Sequence, residues 1–263
     1  MSTYLDRILE SHRARAASDA RPLGALVDAA QAMAPARGFR TALVEAAAAD
    51  GIAVIAEVKR RSPSKGALAV DLDPALLGAA YAAGGAACLS TLTDEEFFGG
   101  SAADLAAARQ ASGRPVLRKD FTVSGNDVCD ARLMGADCVL LIAAALDDTE
   151  LATFHALART VGLDALVEVH DETELARAVA VGADLVGVNQ RDLITFQVDQ
   201  QRAVRMAPRM PRGVIRVAES GIRGPADARV LAAAGYHALL VGESLVKARD
   251  AAGAVADLRA AGR

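Results

Sequence analysis

The chain has 263 residues and a formal net charge of −4, with both signs spread along its length. There is no basic stripe to track a phosphate backbone, and tryptophan is absent with aromatics at 3%, so a base-stacking nucleic-acid surface is excluded. No apolar run approaches the ~18 residues of a membrane span, and the opening MSTYLDRILE has no apolar core of a secretory signal.

Residues 1–50 read as helical. Leu5, Ile8 and Leu9 recur at helical spacing, followed by Leu23, Leu26 and Val27, then Phe39, Leu43 and Val44, with Pro22 and Pro35 as punctuation. From residue 51 the pattern changes to short apolar runs at 53–58, 86–91, 115–118, 137–142, 165–169, 184–188, 214–218 and 237–241. Helical stretches lie between and after them, near 74–83, 101–111, 125–134, 148–161, 172–180, 199–206, 225–234 and 243–261. Glycine stops before strands, as at Gly135, Gly182 and Gly235, suit left-handed helix ends. Strands that alternate with helices and are apolar throughout imply a parallel sheet buried on both faces. An open doubly wound sheet would carry GxGxxG after its first strand; here that strand runs into EVKRRSPSKG instead. The expected fold is α/β, a (β/α)8 TIM barrel over 51–263, with residues 1–50 as a helical extension capping one end.

Cys88, Cys129 and Cys138 are odd in number and form no CxxC pair. They read as buried reduced thiols, with the cytoplasm as the default compartment. The histidines His12, His155, His170 and His237 show no metal-ligand spacing, and His170 alone falls near a strand end. No cofactor and no metal are expected, and a monomer is the default.

In such a barrel, function sits at the C-terminal strand ends. Residues two apart share a strand face, so Glu57 and Lys59 point into the mouth and Val58 toward the helices. Lys119 ends the third strand, Glu168 interrupts the fifth, Asn189 ends the sixth and Glu219 the seventh. A charge in an apolar strand is costly without a purpose. This convergence at one mouth, with nothing comparable expected at the other end, points to acid–base chemistry. The loops Ser220-Gly221 and Gly242-Glu243-Ser244 at the last two strands, with Ser62 and a cation from the 62–66 loop, suit a phosphate.

Residues 54–66, 90–100, 117–121, 135–142, 166–175, 186–199, 218–222 and 240–245 together resemble the indole-3-glycerol-phosphate synthase family, in order and along nearly the full chain. The resemblance implies ring closure, decarboxylation and dehydration of 1-(2-carboxyphenylamino)-1-deoxyribulose 5-phosphate, in tryptophan biosynthesis, and a small phosphorylated substrate as partner. It implies Lys119 as general acid, Glu168 as general base, Glu57 and Lys59 as a second acid–base and positioning pair, and Glu219 and Asn189 as orienting groups. Arg191 would lie near the anthranilate part, and Phe97 or Phe98 with Phe121 would pack on its ring. Lys59, Ser62, Ser220, Gly221, Gly242 and Ser244 would meet the phosphate. Gln190 and Ala218 depart from the family pattern, and both are expected to face away from the mouth. The 60–66 loop is expected to close over substrate. A Schiff-base aldolase using Lys119 and a silent metabolite-binding paralogue are the rival readings.

Overall fold

The computed structural model of the chain describes residues 3–62 and 65–262. Three helices open it: α1 (Tyr4–Ser18), α2 (Leu23–Gln31) and α3 (Phe39–Asp50). Eight strands follow: β1 (Ala53–Val58), β2 (Cys88–Leu92), β3 (Val116–Lys119), β4 (Cys138–Ile142), β5 (Asp164–Val169), β6 (Leu185–Asn189), β7 (Ile215–Glu219) and β8 (Ala238–Val241). All pair in parallel with their sequence neighbours, and β8 pairs with β1 to close the barrel. The helices between and after them are α4 (Pro74–Ala83), α5 (Glu95–Phe98), α6 (Ala102–Ser112), α7 (Gly125–Leu133), α8 (Asp148–Thr160), α9 (Glu172–Ala180), α10 (Arg202–Met206), α11 (Pro225–Ala233), α12 (Glu243–Val246) and α13 (Ala251–Ala260).

Strand alternation sorts the core into two layers. Ile55, Leu117, Leu140, Leu166, Val217 and Leu240 fill the barrel interior. Val54, Val58, Val139, Val167, Val186 and Leu239 lie between sheet and helices. Each strand is therefore apolar on both faces for two different reasons. Helix starts are fixed by side-chain caps: Asp73 accepts from Leu76 N, Ser101 from Asp104 N and Asp147 from Glu150 N. The glycine stops hold their expected left-handed backbone, with φ of 89° at Gly135 and 74° at Gly182.

Four expectations are corrected. The N-terminal helices do not cap one end: Phe39 and Leu43 of α3 seal the interior where the strands begin, α2 packs beside α7, and α1 lies over the opposite mouth. That sealed end is also far from free of charge, since Arg37, Arg40 and Arg109 meet Asp137, Asp164 and Asp184 there. The stretch 243–261 is two helices, because Asp250 caps a new one by accepting from Gly253 N. The helix expected at 199–206 begins at Arg202, because Asp199 forms a turn that accepts from Gln201 N and Arg202 N. After β1 the chain makes a short antiparallel pairing of Arg61–Ser62 with Gly66–Ala67. Pro63 and Ser64 of that expected lid loop lie outside the described residues.

Candidate active site

The C-terminal strand ends bring Glu57, Lys119, Glu168, Asn189 and Glu219 to one mouth. All but Lys119 are buried, and Lys119 is nearly so. Lys59 Nζ donates to Glu57 Oε1. Lys119 Nζ donates to Glu168 Oε2 at 3.4 Å, and Asn189 Nδ2 donates to Glu168 Oε1 at 2.9 Å. Among the described residues no ion pair joins Lys119 to Glu219.

The charges sort by environment. Burial works against the Lys119 cation, but Glu168, Glu219 and Glu57 outweigh it and push its pKa up. Burial would raise Glu168, yet Lys119, His170 and the Asn189 hydrogen bond hold it below the usual carboxylate range. Glu219 goes the other way: burial, then the neighbouring Glu168 charge, push it well above that range. The mouth thus holds one lysine kept cationic, one carboxylate kept anionic and one carboxyl driven toward its neutral form.

A glycine makes the last of these possible. Gly187 lies beside Glu168 in the β5–β6 register and one strand from Glu219. A Cβ at 187 would overlap Oε1 of Glu219. That oxygen is buried without a hydrogen-bond partner, so the gap in the wall of β6 determines where the carboxyl rests. Gly187→Ala is expected to keep the fold and to lower kcat about 10- to 100-fold by displacing Glu219 toward the lumen. Steady-state kinetics beside a thermal melt checks this; unchanged kcat would show that the gap is incidental.

Two lobes open from this mouth. The larger, of about 800 Å3, is polar and lined by Lys59, Ser62, Ser220, Gly221, Gly242 and Ser244. Ser220 and Gly221 are both left-handed, with φ of 66° and 72°, which for a serine is an uncommon conformation. Ser244 Oγ donates to Ile222 O at 2.9 Å and ties the last two loops together. Lys65, Arg223 and Lys247 also reach this lobe; Arg223 belongs to the same loop as Ser220 and Gly221, and Lys247 stands three residues after Ser244 at the end of α12, both outside the residues assigned to the phosphate from sequence.

The smaller lobe, of about 120 Å3, is largely apolar. Phe98 and Phe121 line it with ring centroids 6.4 Å apart. Phe97 does not line it and instead meets Tyr4 edge-on at 5.9 Å. Tyr4, Leu5 and Ile8 of α1, and Leu193 and Phe196 of the loop after β6, complete the wall. Lys59, Ser62, Lys119, Arg191, Phe196 and Ser220 touch both lobes. Arg191 is held by its own N–H donating to Asn189 Oδ1 at 3.0 Å and by Nη1 donating to Phe196 O at 2.9 Å. As expected, Ala218 packs outward in the helix layer, and Gln190 turns away to donate to Ser220 O at 2.8 Å.

Helix α1 is fastened over the apolar lobe by His12. Its Nε2 meets Asp94 Oδ2 at 2.9 Å and lies 3.7 Å from Asp120 Oδ1. Their ligating atoms lie within 4.8 Å of one another, a grouping that linear spacing hides. Each carboxylate is already engaged: Asp94 accepts from Phe97 N at 2.6 Å, and Asp120 from Thr93 Oγ1 at 2.5 Å and Arg118 Nη2 at 3.0 Å. The cluster acts as a clasp between α1, the turn bearing Phe98, and the residue after Lys119. The three cysteines are buried free thiols.

A closed parallel barrel with an acid–base cluster at its C-terminal mouth, between a polar cationic lobe and an aromatic one, defines a (β/α)8-barrel enzyme. Solved structures of 3-hexulose-6-phosphate synthase (TM-score 0.62, 19% identity, covering 80% of this chain and 99% of that one) and of thiamine phosphate pyrophosphorylase from Pyrococcus furiosus (TM-score 0.60, 17% identity, 81% and 96%) share this fold. The sequence profile of the indole-3-glycerol phosphate synthase family matches residues 5–258, and the chain belongs to that family. It is 58% identical over 207 residues to the indole-3-glycerol phosphate synthase of Nocardioides sp. (strain JS614), covering 79% of this chain and 80% of that protein. It is 50% identical over 262 residues to that of Mycobacteroides abscessus, covering 99% and 95%.

Proposed function

We propose that this mouth closes the indole ring of a substrate whose phosphate lies in the polar lobe and whose carboxyphenyl ring lies in the apolar one. The activity is that of an indole-3-glycerol-phosphate synthase, a carboxy-lyase acting on a small phosphorylated substrate. The observation that supports the assignment of parts is the pair of unlike lobes that share Lys119.

Ring closure needs a proton delivered to the substrate carbonyl as the aromatic carbon attacks. Lys119, held cationic chiefly by the Glu168 carboxylate, is the general acid in this reading. Arg191, beside the apolar lobe, holds the substrate carboxylate until it leaves as carbon dioxide. Glu168, held anionic, is the base of the dehydration. Glu57 and Lys59 form the second acid–base and positioning pair, and Asn189 and Glu219 orient Glu168 and the substrate hydroxyls. Phe98 and Phe121 flank the ring, with Phe97 acting through Tyr4. Lys59, Ser62, Ser220, Gly221, Gly242 and Ser244 receive the phosphate.

A Schiff-base aldolase would need the Lys119 amine free of its proton, and the surrounding carboxylates oppose that. The reading takes the chain as a cytoplasmic monomer that needs no metal or cofactor. The test is a fluorescence assay for indole-3-glycerol phosphate with purified protein and the carboxyphenylamino-deoxyribulose phosphate. Product formation without added cofactor is expected; well-folded protein that makes none would remove the assignment.

A further inference from the structure

His170 follows β5 two residues after Glu168, and the parts given to the reaction above leave it without a task. Its side chain is mostly buried, at 12% exposure. Nδ1 lies 3.0 Å from Glu174 Oε2, which also accepts from the His170 backbone N–H at 2.7 Å. A carboxylate oxygen only accepts, so Nδ1 carries the ring proton and Nε2 presents a lone pair. That Nε2 is buried with no hydrogen-bond partner and lies 3.6 Å from Glu168 Oε1. The distance is beyond a hydrogen bond, but side-chain contacts of this kind commonly tighten when substrate closes the site. The row Glu168, His170, Glu174 runs from the active-site mouth to a carboxylate that is 16% exposed.

We propose that His170 is the proton-relay partner of Glu168, taking from its carboxyl the proton that Glu168 removes from the substrate and passing it outward along Glu174. The inference rests on Glu168 being the base. One O–H bond on Glu168 breaks and one N–H bond on Nε2 forms. The imidazolium charge is balanced by Glu174, which then accepts the Nδ1 proton and releases it to water, and exchange of the ring tautomer resets the relay. The two carboxylates beside the ring set this direction against one opposing cation. Burial disfavours the ring cation, but Glu174 and Glu168 outweigh it and raise the His170 pKa, with Arg202 of α10 opposing them. Lys119, on the far side of Glu168, helps to hold that carboxyl low. A proton therefore moves downhill from Glu168 to His170.

The ring must be neutral to accept, so wild-type kcat falls as pH drops through the raised His170 pKa. The experiment is the pH dependence of kcat and KM for wild type, His170→Asn, Glu174→Gln and Glu168→Gln. His170→Asn is expected to lower kcat about 10- to 100-fold, with KM within about twofold, and to lose that acidic limb. Glu174→Gln keeps an acceptor for Nδ1–H but removes the balancing charge, so its limb moves to lower pH. Added imidazole is expected to restore activity to His170→Ala. A His170→Asn enzyme with wild-type kcat and an unmoved limb overturns the relay. If that variant does not fold, an unmoved limb in Glu174→Gln does so instead. A fully active Glu168→Gln would overturn the base assignment itself, which separates the two failures.

Discussion

Lys119→Ala is expected to reduce kcat for indole-3-glycerol phosphate formation by about 10^3- to 10^4-fold, with KM changed far less. A positioned general acid is worth about 10^2- to 10^4-fold on its own, and Lys119 does more than donate. Its Nζ bonds Glu168, and its charge faces Glu219 and Glu57 as well. Without it, three buried carboxyls lose the cation they share, and burial drives Glu168 toward its protonated, non-basic form. One substitution thus removes the acid and weakens the base. Lys119→Ala combined with Glu168→Gln should therefore lose little beyond Lys119→Ala alone, since residues acting as one unit are not additive. Lys119→Arg should not restore the rate: a guanidinium keeps the charge but holds its proton too tightly and spreads it over a plane. The fluorescence assay and a circular-dichroism spectrum decide the matter. A folded Lys119→Ala enzyme within tenfold of wild type would move the acid role to Lys59.

The barrel and the floor of its mouth were legible because both follow from strand periodicity. In AVIAEVK, alternation alone sends Glu57 and Lys59 inward and Val58 outward, and Glu57 and Lys59 indeed line the mouth while Val58 packs in the helix layer. The same rule turned Ala218 away from Glu219. Loops obey no such period. Nothing in EEFF distinguishes two adjacent phenylalanines; Asp94, accepting from both Phe97 N and Phe98 N, starts the short turn of α5 that sends one ring to the lobe and the other to Tyr4. Nor does an amphipathic pattern in residues 4–13 say which end of a barrel it covers. That depends on His12 meeting Asp94, 82 residues away. His170 was visible near a strand end, but its meaning depends on Glu174 one helical turn on and on which nitrogen is left without a partner. Gly187 lay in an apolar run where a missing side chain looks like nothing; its role is visible only once Glu219 is seen in the gap.

The opposite end of the barrel gives the sharpest contrast with this chemistry. Asp137→Ala is expected to cost about 3–5 kcal/mol of stability and to leave kcat within about twofold at 25 °C. Asp137 is completely buried, immediately before β4. Its two oxygens accept from Arg37 N at 2.8 Å, Val116 N at 2.9 Å, and Arg109 Nε and Nη2 at 2.9 and 2.7 Å. One carboxylate thereby joins the lead-in to α3, the first residue of β3 and the end of α6. Alanine leaves two backbone N–H groups and a partly buried guanidinium without their acceptor, which is the costly way to break a buried pair. None of these partners lines either lobe, so the reaction should not register the change. At roughly 2–4 °C per kcal/mol for a domain of about this size, the melting temperature should drop on the order of 10 °C. Asp137→Asn should recover part of the loss, because its carbonyl oxygen still accepts from one of the amides. The measurement is a denaturant or thermal melt beside the activity assay. A large fall in kcat with an unmoved melt would mean that the sealed end communicates with the mouth, contrary to a barrel in which one end carries the stability and the other the chemistry.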